Sequence, residues 1–139
     1  SPMAEFIMKS LVHTAGMDNS FIIASAATSS EEIGNPVYPP ARRVLAQHGI
    51  RCDGKTARRV APQDYQDYDY LIGMDLENMR DMKRLFSGDP CGKLHLLLEF
   101  TGEHRAVSDP WYTRDFDTAY QDITTGCQAL FHLLQAQLP

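Results

Sequence analysis

Three short apolar runs, separated by stretches of helical periodicity, constrain this chain most. Residues 21–27 (Phe-Ile-Ile-Ala-Ser-Ala-Ala), 68–74 (Tyr-Asp-Tyr-Leu-Ile-Gly-Met) and 93–98 (Lys-Leu-His-Leu-Leu-Leu) have the length and apolar character of buried strands. Around them apolar residues recur at helical spacing: Met3, Phe6, Ile7 and Leu11 in one stretch, then Leu76, Met79, Met82, Leu85 and Phe86, and finally Phe116, Ala119, Tyr120, Ile123, Leu130 and Leu134. A further helix is expected over residues 40–48. Strands that alternate with helices of this length imply a parallel sheet covered on both faces.

The punctuation fits that reading. Ser1 has the character of an N-cap and Pro2 of a first helical residue, where its missing N–H costs nothing. Gly16 stops the first helix, and Gly49 stands where a left-handed C-cap belongs. Asp75 caps the helix that comes after the second strand. Residues 28–40 and 102–115 are long polar loops, and loops of that length in compact domains commonly carry function. With no internal repeat and no linker composition, residues 1–139 are expected to form one α/β domain.

Composition narrows the function classes. A net charge of −5, from 18 acids against 13 bases, argues against general binding to nucleic acid or an anionic membrane. No apolar run approaches the length of a membrane-spanning helix. Cys52, Cys91 and Cys127 are odd in number and widely spaced, which does not suit a disulfide framework, and no Cys-x2-Cys or His-x3-His pairing suggests zinc. The expectation is a cytoplasmic protein without metal or cofactor.

Two motifs match by letter but not by context. Residues 49–56 fit the nucleotide-binding pattern G-x4-G-K-T, with residues 70–75 as a possible acidic partner strand. That loop requires a strand before it and a helix after it, so that backbone N–H groups and the helix dipole converge on phosphate. Here a helix precedes it, and Pro62 breaks the segment on its far side. Cys52 to Arg58 likewise spells Cys-x5-Arg, a phosphate-binding signature that needs the same strand-to-helix setting. The expected structure is a solvated turn with a half-buried cysteine.

Five blocks, in order along almost the whole chain, carry a resemblance. They are Ser1-Pro2-Met3-Ala4-Glu5; Ser25-Ala26-Ala27-Thr28-Ser29 with Glu32-Ile33-Gly34-Asn35-Pro36; His48-Gly49-Ile50 with Ala57-Arg58; Tyr68-Asp69-Tyr70-Leu71-Ile72-Gly73-Met74-Asp75 with Asn78; and Asp109-Pro110-Trp111-Tyr112 with Asp115-Phe116. Together they resemble the low molecular weight protein tyrosine phosphatases. The resemblance implies a three-layer αβα fold with a four-stranded parallel sheet. Its first, central strand and Cys-x5-Arg loop would precede Ser1, so the native protein is expected to begin roughly 15–20 residues earlier, a mean strand plus the loop and its flanks. That strand would lie between those containing Ser25 and Leu71.

The implied chemistry is hydrolysis of a phosphate monoester through a cysteinyl-phosphate. Carried onto this chain, the family's general acid is Asp109, and the hydroxyl that hydrogen-bonds the thiolate is Ser1. Trp111 and Tyr112 form the aromatic wall, Glu31 and Glu32 the opposite rim, and Ser25 supports the phosphate loop from below. The family often has an aromatic residue where this chain has Glu31, a departure that bears on aryl-substrate preference. The implied partners are phosphotyrosine proteins or small aryl phosphates, and the implied state is a monomer or weak dimer. Other readings are a catalytically inactive binding module of the same fold and, from residues 49–56, a nucleotide-binding protein. Arsenate reductases share the fold but need additional cysteines, for which Cys91 is the one candidate. Arginine phosphatases differ at a loop residue that the resemblance sets before Ser1.

Overall fold

A computed structural model of the chain describes residues 2–29, 34–110 and 114–138. Helix α1 (Pro2–Thr14) is followed by a 3-10 turn (Asp18–Ser20), α2 (Pro39–Gln47), the short α3 (Asp64–Asp67), strand β1 (Leu71–Gly73) and α4 (Leu76–Leu85). Strand β2 (Leu94–Leu96) runs directly into a 3-10 helix (Leu97–Thr101), and α5 (Phe116–Gln137) closes the chain.

β1 and β2 pair in parallel, with Leu71 opposite Leu94 and Gly73 opposite Leu96. Side chains alternate across this sheet, as period two requires. Leu71 and Leu94 join Met82 of α4 in one cluster, with Tyr65, Tyr68, Met79 and Phe86 packed around it. Ile72 and Met74 face the other way, into the main core of Met3, Ile7 and Met8 from α1, Ala41, Val44 and Leu45 from α2, Leu97, and Ile123, Cys127 and Leu130 from α5. Helices therefore cover both faces, and the architecture is α/β.

The sheet is smaller than expected. Among the described residues it has two strands, where three of the expected four were read within residues 1–139, and residues 21–26 form none. Phe21 is extended, and exposure alternates in the manner of a strand: Ile22 is 87% exposed while Phe21 and Ile23 pack on the core. A strand is defined by a partner for its backbone groups, and only at Ala27 does one appear. Ala27 bridges Arg59 in parallel, donating to the Arg58 carbonyl at 2.7 Å and accepting from Val60 N–H at 2.8 Å. The third expected strand is cut short because the chain coils into the 3-10 turn at Leu97.

The end signals act locally as their chemistry requires. Gly49 has φ +74°, and the chain folds back after α2 so that Ile50 N–H reaches the Leu45 carbonyl at 2.9 Å. His48, the C-cap of α2, stacks on Tyr120 of α5 with ring centroids 3.9 Å apart. Gly126 serves closeness rather than conformation: a Cβ there would lie 2.5 Å from Leu97 Cγ, so its absence lets α5 seat against the 3-10 turn.

Candidate active site

The carboxyl ends of parallel strands are where α/β folds place ligands, and here one side chain organises that edge. Asp75 caps α4 by accepting the Asn78 N–H at 2.7 Å. The Asn78 side chain replies, its Oδ1 accepting Met74 N–H at 3.0 Å and its Nδ2 donating to Thr28 Oγ1 at 3.4 Å. The Met74 carbonyl in turn accepts Val107 N–H at 2.9 Å. The end of residues 21–29, the end of β1 and the loop carrying Asp109 thus meet at one point. Asp75 is a helix cap here, as its position suggested.

Ser25 joins this edge to the first turn of α1. Its hydroxyl donates to Glu5 Oε1 at 2.7 Å, and its carbonyl accepts Lys55 Nζ at 3.4 Å. Lys55 also pairs with Glu5 Oε1 at 2.7 Å, and Lys9 takes Oε2 at 2.7 Å. The Glu5 side chain is only 3% exposed. Burial alone would raise its pKa, but hydrogen bonds from Lys55, Lys9 and Ser25 outweigh that and hold the carboxyl below its ordinary value. Neither Glu5 nor Lys55 was singled out from the sequence. A signal existed: Glu5, Met8 and Val12 fall at i, i+3 and i+7, so an acid sits on the buried stripe of α1.

Asp109 lies exposed at the end of a loop held on two sides. One hold is the Val107–Met74 backbone bond. The other is Asp122 of α5, which takes both arms of Arg105 at 2.9 Å and the Ser108 N–H, also at 2.9 Å. The Arg105 hydrogen bonds, aided by Ser108, hold the Asp122 carboxyl below its usual range against the effect of burial. Of the other expected site residues, Ser1, Glu31, Glu32, Trp111 and Tyr112 lie outside the described residues.

The two letter matches resolve structurally. No helix leaves residues 49–56; instead Thr56 bridges Pro36, and Lys55 is committed to Glu5. Cys52 is buried, and that burial pushes its thiol up, away from the thiolate a nucleophile needs. Arg58 is taken by Asp64, at 3.0 and 3.3 Å.

The family profile described as "Low molecular weight phosphotyrosine protein phosphatase" matches residues 1–139. The chain belongs to this family. Its relatives include the low molecular weight protein-tyrosine-phosphatase YfkJ of Bacillus subtilis, 34% identical across 99% of this chain and 89% of that protein. The low molecular weight phosphotyrosine protein phosphatase of Gallus gallus is 36% identical over 93% of this chain and 84% of its own length. Among solved structures, YfkJ superposes with a TM-score of 0.95 over 100% of this chain and 89% of that one, at 33% identity. SP-PTP, the low molecular weight protein tyrosine phosphatase of Streptococcus pyogenes, gives 0.85 over 96% of this chain and 84% of that one, at 37% identity. The protein is therefore a low molecular weight phosphatase in sequence and in fold, and an enzyme of that class. Among the described residues of this phosphatase, no helix is long and apolar enough to cross a membrane.

Proposed function

We propose that this phosphatase hydrolyses phosphotyrosine and small aryl phosphate monoesters through a cysteinyl-phosphate, with Asp109 as general acid. The nucleophile is the cysteine of the family's Cys-x5-Arg loop, whose place is the turn leading into α1. Its thiolate attacks phosphorus, the P–O bond to the phenol breaks, and the departing oxygen takes its proton from Asp109. Water then attacks the phosphocysteine, giving its proton to the Asp109 carboxylate as phosphate leaves and the thiolate is restored. The loop's arginine and N–H groups stabilise the equatorial oxygens, and the α1 N-terminus adds a favourable dipole for a dianion.

Ser1 is assigned to the thiolate as hydrogen-bond donor, Trp111 and Tyr112 to the aromatic wall, Glu31 and Glu32 to the opposite rim, and Ser25 to support through Glu5. Residues 1–139 act as one domain, working in the cytoplasm as a monomer or weak dimer on phosphotyrosine proteins. The observation that supports this reading is the Val107–Met74 backbone bond, which brings the loop that carries Asp109 to the strand edge where Asn78 also meets Thr28. The test is aryl phosphate hydrolysis at mildly acidic pH without added metal. Asp109→Asn should lower turnover of a phenyl phosphate by about 10²-fold or more, with vanadate inhibiting the unaltered enzyme. Undiminished turnover by Asp109→Asn would remove the acid assignment, and phosphotyrosine binding without any turnover would make the protein a binding module.

A further inference from the structure

Asp109 follows a tetrapeptide, residues 105–108, that is tied at several points among the described residues. Arg105 forks onto Asp122 with NH1 on Oδ2 and NH2 on Oδ1, each at 2.9 Å, and its NH1 also reaches the Ala106 carbonyl at 3.2 Å. Glu103 stands 3.3 Å from the other arm. Val107 N–H is fixed to Met74, and Ser108 N–H to Asp122 Oδ2. Asp122 precedes Ile123, a residue of the main core, and its own side chain is 14% exposed. Arg105 is 48% exposed.

A surface ion pair alone would contribute little. What distinguishes this one is the third donor. Asp122 Oδ2 accepts from the guanidinium and from the backbone N–H one residue before Asp109, so the carboxylate ties the loop itself, and not only Arg105, to a rigid helix. Side chains that place a reacting group act through geometry, and a displacement of about 1 Å can cost roughly 10²-fold in rate.

We propose that Arg105 and Asp122 are positioning residues for the acid loop, a bidentate clamp that sets where Asp109 presents its proton to the leaving group. The inference rests on Asp109 being that acid, and its test separates the two claims. kcat/KM is measured for aryl phosphates whose leaving phenols range from strongly acidic, such as a dinitrophenol, to weakly acidic, such as phenol. An acidic phenol departs without a proton, so loss of acid catalysis shows only at the weak end. Asp122→Asn keeps the shape but weakens the fork, and should lose about tenfold on phenyl phosphate with little change on the dinitrophenyl ester, a partial copy of Asp109→Asn. Arg105→Gln, at a half-exposed position, should follow the same slope and serves if Asp122→Asn does not fold. Equal loss across the series, or none, overturns the clamp while Asp109→Asn keeps its steep slope. A flat series for Asp109→Asn overturns the acid assignment and the clamp with it.

Discussion

Replacing Glu5 with Gln tests the most buried charge in the described structure. The substitution keeps shape and one acceptor oxygen, but removes the charge that three donors share. Lys9, 47% exposed, can turn to water at little cost. Lys55 is only 18% exposed and is wedged between Glu5 and the Ser25 carbonyl, so it keeps a poorly compensated charge. Breaking a buried pair typically costs about 3–5 kcal/mol; with Lys9 free to escape and one oxygen retained, about 2–3 kcal/mol is expected here. For a domain of this size that is a fall in Tm of roughly 8 °C. The sign with pH comes from the depressed pKa of Glu5. Its contribution is fully present above the unfolded carboxyl value of about 4.3 and is lost as pH falls through the lower folded value. Thermal unfolding followed by circular dichroism from neutral to strongly acid pH should therefore show the two proteins converging at the acid end. A gap that stays constant across that range, or one below about 0.5 kcal/mol at neutral pH, would refute the view that this carboxylate acts through its charge.

Packing supplies two further expected outcomes. Gly126→Ala gains about 1 kcal/mol of helix propensity, but its methyl meets the branch carbon of the fully buried Leu97 at 2.5 Å. Overpacking of about 1–3 kcal/mol should win, giving a net loss near 1 kcal/mol by denaturant unfolding, less when Leu97→Ala is added to the same background. A stabilised Gly126→Ala would mean the helix and the 3-10 turn separate freely. Of the three cysteines in residues 1–139, iodoacetamide should label Cys91, which is exposed, in the native protein. Cys52 is buried and its thiol is pushed up by burial, while Cys127 is pushed up to about 12, so both should react only on unfolding. Native labelling of Cys127 at the Cys91 rate, read by mass spectrometry, would contradict the packing of α5.

What the sequence disclosed was mostly local. The helix spacing, the cap at Asp75 and the stop at Gly49 depend on neighbours a few residues away, and each appears where the pattern set it. The family likeness was legible from blocks spread along the chain, and profile and superposition agree with it. The strand at residues 21–27 was not recoverable in the same way, since a strand exists through its lateral neighbours, and among the described residues only Ala27 of that run forms a bridge. Long-range electrostatics were hidden for a different reason. Lys55 sat inside a letter-perfect nucleotide motif, and nothing local points it at Glu5 in α1. Arg105 and Asp122 are 17 residues apart, and nothing in the local pattern of either pairs the loop with the helix.

The Asn78 hub has a consequence for how the enzyme divides its protons. An amide neither gains nor loses charge in mild acid, so the junction of Thr28, Met74 and Asn78 keeps its hydrogen bonds as pH falls. Asp122 and Glu5, the carboxylates that brace the same edge, are held below their ordinary values and stay ionised in that range. The proposed acid, by contrast, has to be protonated to work. These carboxylates and the neutral amide thus hold the edge in mild acid much as in neutral solution, so that a change of rate there would report catalysis rather than the release of the Asp122 and Glu5 ties.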